Sequence, residues 1–358
     1  MKRAKPTTSS RKKDHVLLTV HKNVTFLNKQ TGFDEWEFIH NALPEINFSE
    51  VTTATTFLGK RIAFPFMISC MTGGYADAKR INKQLAEVCE EFGIAMGVGS
   101  QRQALEDTTY HSTFSIVRAA APSIPIVGNI GAPEVAALRD VSSVQRLVEM
   151  IRADAFAVHL NPLQEFLQPE GNTNFRGVLL GIEKLVKHLS VPVIVKEIGA
   201  GISGEVASRL MNVGVTIIDV AGAGGTSWAG VEILRRKENG KARASSQQFW
   251  DWGIPTVDAL HDVVQLKNSK PELCVVASGG ITSGLDCAKA LALGADMTAS
   301  ARPMLQALCN GGKKELAATL NQWMHECKGA MFLTGIASLE EFRRDPIYIG
   351  REIIKKKN

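Results

Sequence analysis

The sequence predicts an α/β fold, a (β/α)8 TIM barrel with an N-terminal extension and an insertion after strand 6, on three observations. Eight short, almost wholly apolar runs recur along the chain, amphipathic segments fill the gaps between them, and nearly every run ends in glycine or a polar residue. Continuous apolar runs suit strands buried on both faces of a parallel sheet, and their alternation with helices makes a closed barrel the economical architecture. With 358 residues, 45% of them hydrophobic, the chain could form two domains, but barrels of this size occur as single units. We therefore expect an extension over residues 1–62 that closes over the barrel mouth and a catalytic barrel over 63–358.

The elements follow in order. The first sixty residues are irregular in pattern, and Met1–Lys13 is expected to be disordered unless a ligand orders it. The eight runs are Ala63–Cys70, Ile94–Val98, Pro125–Ile130, Ala155–His159, Pro192–Glu197, Val215–Val220, Cys274–Ser278 and Asp296–Ser300. Between the first two, Asp77–Phe92 spaces Ile81, Leu85, Val88 and Phe92 by three and four, one apolar stripe of a helix. Ser203–Asn212 opens on a Ser N-cap and stops before Gly214, and Ser283–Leu293 stops before Gly294 in the same way. Pro162 and Pro169 predict a rigid, non-helical loop after the fourth run. Trp228–Trp252 is inserted before the sixth helix, on the side where barrels build catalytic loops, and the Ile353–Asn358 tail is expected to be solvated.

Composition narrows the function. A formal charge of +5, from 41 Lys and Arg against 36 Asp and Glu, would help capture a small anion but is too mild for a nucleic-acid binder. The six cysteines form no Cys-x-x-Cys pair or zinc spacing, and their usage reads as reduced and cytoplasmic. No apolar stretch is long enough to suggest a membrane span, and the basic N-terminus lacks the apolar segment of a secretory signal. A transit peptide is the competing reading of that terminus; acidic residues follow it too soon. No Walker A motif occurs.

In a barrel the active site lies at the C-terminal ends of the strands. The runs end, in order, in Ser69-Cys-Met71-Thr72-Gly73-Gly74, Ser100-Gln101-Arg102, Gly128-Asn129, His159-Leu-Asn161, Lys196-Glu197, Asp219, Gly279-Gly280 and Ser300-Ala301-Arg302. Each alone could be turn or cap chemistry; all eight together favour a site. Glycines after the seventh run and Ala301-Arg302 after the eighth are where barrels hold a phosphate on backbone N–H groups, because a Cβ would keep the anion away. Lys196 is costly to bury without an anion, and simple pairing with Glu197 is disfavoured because neighbours on a strand face opposite ways. His159, Asn161, Gln164 and Glu165 form a polar cluster suited to a substrate or a metal, Glu165 being the hard oxygen ligand that Mg²⁺ takes beside phosphates; a hydrogen-bonded core histidine is the bland reading of His159. Arg11-Lys12-Lys13-Asp14-His15 reads alone as a solvated tail. Gly199-Ala-Gly201-Ile-Ser-Gly204, with Asp219 at the next strand end, also fits a dinucleotide fingerprint, but it sits at the fifth of eight repeats.

At these residues the chain resembles the type 2 isopentenyl-diphosphate isomerases, over Arg11 to about Pro303. The pieces occur in family order: Arg11-Lys12 near His15, Met71-Thr72-Gly73-Gly74, Ser100-Gln101-Arg102, Gly128-Asn129, the specific string His159-Leu-Asn161-Pro-Leu-Gln164-Glu165, Lys196-Glu197, Gly224-Gly225-Thr226-Ser227-Trp228, Gly279-Gly280 and Ala301-Arg302. The resemblance implies FMN, Mg²⁺ and a reductant such as NADPH, and conversion of isopentenyl diphosphate to dimethylallyl diphosphate in isoprenoid biosynthesis without net redox change. It implies that Met71, Thr72, Gly73, Ser100, Asn129, Lys196 and Thr226 hold the flavin ring and ribityl chain, and that Gly280, Ile281, Thr282, Ala301 and Arg302 surround its phosphate. Arg11, Lys12, Ser100, Arg102, His159 and Asn161 would bind substrate, Gln164 would lie near the allylic carbons as a positioning or relay group, and Glu165 would hold magnesium. Lys196 would stabilise negative charge near flavin N1, and Glu232 and Trp228 would assist from the inserted loop. Reduced flavin would be the acid–base catalyst. The family forms tetramers or octamers, which implies a homo-oligomer. One departure is Thr282, where the family commonly has Arg; the flavin phosphate would lean on amides and Arg302, with weaker flavin retention. Rival readings are an FMN-dependent 2-hydroxy-acid oxidase or dehydrogenase, which needs a late-strand His where this chain places His188 and His261 within helices, and a nucleotide-type dehydrogenase, which needs a cysteine after strand six. A nucleic-acid-binding protein using its basic termini would leave the polar mouth unexplained.

Overall fold

In the computed structural model, residues 8–236, 246–344 and 348–350 are described. Eight parallel strands close into a barrel: β1 Phe66–Ile68, β2 Ala95–Gly97, β3 Ile126–Gly131, β4 Ala155–His159, β5 Val193–Lys196, β6 Ile217–Asp219, β7 Cys274–Ser278 and β8 Met297–Ser300. Each pairs with its chain neighbour, and β8 pairs with β1 through Thr298↔Phe66 to complete the ring. The helices are α1 Thr8–His21, α2 Ala78–Phe92, α3 Arg102–Glu106, α4 Ser112–Ala120, α5 Ala132–Ala136, α6 Ser142–Ile151, α7 Pro162–Leu167, α8 Val178–His188, α9 Gly204–Asn212, α10 Trp228–Arg235, α11 Thr256–Val264, α12 Gly284–Ala292, α13 Arg302–Leu333 and α14 Leu339–Arg344.

The apolar runs are continuous because both faces of the sheet are covered. Met67, Ala95, Val127, Ala157, Ile194, Ile217, Val276 and Met297 fill the barrel interior. Their neighbours Phe66, Ile68, Met96, Val158, Val195, Ile218 and Val275 pack outward into the helical layer. The period of two is therefore present but hidden, since each face meets apolar partners. An antiparallel hairpin, Thr55–Phe57 with Lys60–Ile62, inserts Phe57 and Ile62 into the interior cluster. The predicted Ser203 cap forms, accepting from Val206 N–H at 3.3 Å, and Ser283 caps α12 by accepting from Asp286 N–H at 3.0 Å.

Two expectations are corrected. Of Met1–Lys13, expected to be disordered unless a ligand orders it, residues 1–7 lie outside the described residues and Thr8–Lys13 makes the first turns of α1, which packs against α10 and α13. The loop after β4 is helical over Pro162–Leu167, because Pro162 sits in the first turn, where a missing N–H costs nothing and a fixed φ suits the helix. The inserted segment after β6 is helical over Trp228–Arg235, and Ser227 caps it by accepting from Gly230 N–H at 3.0 Å. The solvated tail proposed for Ile353–Asn358 lies outside the described residues, as does part of Trp228–Trp252. The dinucleotide alternative fails on topology, since its fingerprint joins β5 to α9 within a closed barrel. It fails locally too: the Glu197 carboxylate accepts from the N–H groups of Ile198, Gly199 and Ala200, so the amides a pyrophosphate would need are taken.

Candidate active site

Two adjoining cavities open at the C-terminal ends of the strands. The larger, about 230 Å³, is bordered by Met71, Thr226, Gly280, Ile281, Thr282, Ala301 and Arg302, with Thr19 of α1 above. The smaller, about 120 Å³, is lined by Arg11, Lys12, Ser100, Arg102, Asn129, His159, Asn161, Gln164 and Glu165. Cys70, Met71, Lys196, Ile198 and Trp228 line both, so Lys196 stands at their junction.

The larger cavity is built by close backbone packing. The loops after β6 and β7 touch so closely that a Cβ on Gly225 would lie 2.4 Å from Gly280 N, and one on Gly279 would lie 2.1 Å from Gly222 O. Gly279 and Gly280 also hold φ of +96° and +72°, where L side chains are strained. These glycines thus satisfy loop packing as well as leaving room at the cavity edge. The first turn of α13 opens at Arg302, so its N-terminal amides and positive dipole end face the same edge.

The smaller cavity is a polar network. The Nδ1–H of His159 donates to Asn129 Oδ1 at 2.8 Å. Asn161 Nδ2 donates to Gln164 Oε1 at 3.2 Å and to Glu165 Oε1 at 3.0 Å, and Glu165 Oε2 accepts from Asn172 N–H at 2.6 Å. Gln164 Nε2 donates to Glu232 Oε1 at 3.1 Å, which also accepts from His15 Nε2 at 2.8 Å, while Arg235 Nε donates to Oε2 at 2.8 Å. Arg102 pairs with Glu134 at 2.8 Å and Glu106 at 3.0 Å. Lys12 donates to Ser100 O and stands over the Phe114 ring, 5.3 Å from its centroid.

The charges respond to this crowding. Burial, with Arg11 and Arg102 nearby, brings the Lys12 ammonium down to about 7. Burial and the positive charges of Lys196 and Lys12 hold His159 down at about 3, so its ring is neutral at physiological pH. Burial alone would raise Glu232, but the hydrogen bond and charge of His15 and the charge of Arg235 outweigh it and hold the carboxyl at about 2. At the junction, Lys196 donates to Glu197 O and lies 3.9 Å from Asp219 Oδ2, an oxygen with no hydrogen-bond partner. Burial raises Asp219 while Lys196 opposes the shift. The carboxylate facing Lys196 is therefore Asp219 on the adjacent strand; the Glu197 carboxylate is engaged by amides of the following loop.

Of the residues singled out in the sequence, Thr72 and Gly73 line neither cavity. Thr72 is buried with its hydroxyl on Asn82 of α2, and a Cβ on Gly73 would meet the Phe114 ring at 2.0 Å. Thr282 borders the cavity with its polar groups committed to α12, its N–H and hydroxyl both bonded to Asp286 Oδ2, at 2.9 and 3.1 Å. Glu134 was not anticipated: its role as the partner of Arg102 depends on two helices meeting across the mouth, and no local motif marks it.

The donors suit the groups the resemblance implies. The larger cavity offers a cation where it meets the smaller one, small residues at its edge and a helix N-terminus for a phosphate, as FMN requires. For a cation, no three His, Cys, Asp or Glu side chains converge among the described residues. Glu165 is thus fitted to Mg²⁺ only as one ligand among waters and substrate phosphate oxygens, the arrangement this ion favours.

Comparison with known proteins agrees with this geometry. The family model described as FMN-dependent dehydrogenase matches residues 4–120 and 152–349. The chain is similar to an isopentenyl-diphosphate delta-isomerase of Chlorobaculum parvum, 48% identical over 349 residues that cover 95% of this chain and 97% of the relative. Relatives of the same name come from Pelodictyon phaeoclathratiforme, 49% identical over 94% of this chain and 96% of its own, and Pseudescherichia vulneris, 43% identical over 96% and 97%. Among solved structures, a flavocytochrome b2 with sulfite bound superposes with a TM-score of 0.70 at 18% identity, over 96% of this chain and 84% of its own. A lactate oxidase of Pediococcus acidilactici gives 0.68 at 17%, over 98% and 96%. At these identities the two structures speak for the fold alone.

Proposed function

The chain belongs to the FMN-dependent dehydrogenase family and, within it, to the isopentenyl-diphosphate delta-isomerases, and from that premise we propose how its cavities perform the isomerisation. It is an FMN-dependent isomerase that converts isopentenyl diphosphate to dimethylallyl diphosphate. The observation that carries the assignment of roles is the junction: one cavity suited to a flavin and one lined with cations share Lys196, Met71 and Trp228.

In this reading Arg11, Lys12, Arg102 and Ser100 grip the diphosphate, aided by Asn161, with Glu165 sharing Mg²⁺ with it. His159 is neutral and bonded to Asn129, so it contributes shape and a hydrogen bond rather than charge. When bound, reduced FMN, with NADPH as the reductant, would supply the acid–base chemistry the alkene needs. Lys196, at the junction of the two cavities, would hold the flavin there and offset its negative charge. Gln164 is too weak a base to act alone and serves to position the allylic carbons; its amide is held by Asn161 and Glu232, and Glu232 is in turn held by His15. Trp228, stacked edge-on to His15 with ring centroids 5.3 Å apart, walls the alkene from water.

Residues 1–62 serve as the closing extension and 63–358 as the catalytic barrel. Thr282 leaves the flavin phosphate to amides and Arg302, so flavin retention is weak. A reduced cytoplasmic setting and a tetramer or octamer complete the reading, the latter checked by light scattering. The hydroxy-acid oxidase reading is set aside because the curated relatives are named isomerases and the cavities take their histidines from α1 and β4.

The test is anaerobic conversion of isopentenyl diphosphate by purified protein with FMN, Mg²⁺ and NADPH, omitting each in turn. Turnover should vanish without FMN or reductant. No turnover by the reduced, flavin-loaded protein refutes the isomerase and turns the search to hydroxy acids.

A further inference from the structure

Helix α1 is a poor helix in isolation. Its fourteen residues carry Arg11, Lys12, Lys13 and Asp14, and only Val16, Thr19 and Val20 are buried. A segment this short and polar does not hold helical structure in water without tertiary support. Yet Lys12, His15 and Thr19, spaced by three and four, share one face and roof both cavities, Lys12 and His15 over the smaller and Thr19 over the larger.

The support at its C-terminal end is specific. The last carbonyls of a helix lack partners within it. Here Arg302 Nε donates to Thr19 O at 2.8 Å, Arg302 Nη2 to Lys22 O at 2.9 Å, and Gln306 Nε2 to Val20 O at 3.1 Å. Arg302 and Gln306 are four apart on the first turns of α13, so one face presents both, and the guanidinium also meets the negative end of the α1 dipole. Both side chains border the larger cavity.

We propose that Arg302 and Gln306 form a latch that positions α1, and that through it the cofactor cavity governs the grip of Arg11 and Lys12 on the substrate. Both are positioning residues: they act on the diphosphate only through α1. The proposal rests on the smaller cavity being the diphosphate site. Because the latch and the cofactor edge share Arg302, occupancy of one cavity is linked to affinity at the other, and the linkage is reciprocal.

The test uses FMN-loaded enzyme with Gln306→Met, which removes the donor and keeps the length, and Gln306→Lys, which keeps an N–H donor. Losing one such hydrogen bond should raise KM for isopentenyl diphosphate by about threefold to tenfold, more than kcat falls. Tryptic cleavage at Arg11, Lys12 and Lys13 should accelerate by a similar factor, and FMN affinity should fall by less than KM rises, because Arg302 keeps part of the latch in place. Gln306→Lys should restore KM and protection towards wild type. Unchanged KM and cleavage in Gln306→Met would overturn the latch, and so would a loss of FMN affinity matching the rise in KM. Protection by inorganic pyrophosphate reads the latch without turnover: protection in wild type that is lost in Gln306→Met supports it even if the isomerase assay itself fails.

Discussion

Replacing Glu232 with Gln should destabilise the protein in a way that depends on pH. The carboxylate is fully buried and accepts from His15 Nε2, Gln164 Nε2 and Arg235 Nε at 2.8, 3.1 and 2.8 Å. Glutamine of the same shape keeps one acceptor oxygen, turns an NH₂ toward a donor, and leaves Arg235 short of a counter-charge. Two routes give the size of the loss. The carboxyl is held at about 2 against an ordinary 4.5, a depression of about 2.5 units, or about 3 kcal/mol at 1.36 kcal/mol per unit. Removing one partner of a buried pair independently costs about 3–5 kcal/mol. A group whose folded pKa is depressed contributes its stability above its unfolded value and loses it as the pH falls through the folded one. The gap between wild type and Glu232→Gln should therefore be full, about 3 kcal/mol, from pH 7 down to about 5 and shrink progressively between about 4.5 and 2. Urea titrations at a series of pH values measure it. A variant as stable as wild type at pH 7, or a gap that stays constant down to pH 3, would refute the reasoning. Turnover should drop as well, because Gln164 loses the group that holds it.

Three further predictions use other parts of the site. Lys196→Met should cut turnover on the order of a hundredfold and make bound FMN harder to reduce, read by potentiometric titration; an unchanged potential would remove Lys196 from the flavin. Lys12 sits at about 7 in the free enzyme, protonated below and neutral above, so kcat/KM should fall as the pH rises through 7 and this limb should disappear in Lys12→Met. Gly279→Ala forces a Cβ within 2.1 Å of Gly222 O, whereas Gly59→Ala, also at positive φ (+73°), meets nothing within 4 Å. Thermal melts should show the first losing roughly 3 kcal/mol or more and the second only about 1–2, from backbone strain alone.

Much of this protein is set by its sequence alone. The barrel was legible because strands covered on both faces leave continuous apolar runs, and because a helix between parallel strands needs an amphipathic stripe like that of Ile81, Leu85 and Val88. The polar strand ends were legible too, since a barrel brings the C-terminal ends of all its strands to one mouth. Tertiary structure decided what no local pattern encodes. The end of α1 is held by Arg302 and Gln306, nearly three hundred positions away, a contact of which Arg11-Lys12-Lys13-Asp14 carries no sign. Asp219 rather than Glu197 faces Lys196 because adjacent parallel strands place Lys196 beside Asp219 in register. Glu134 meets Arg102 only because α3 and α5 converge over the mouth. In each case the pairing energy depends on distances between groups remote in the chain, and spacing within one segment carries no record of them.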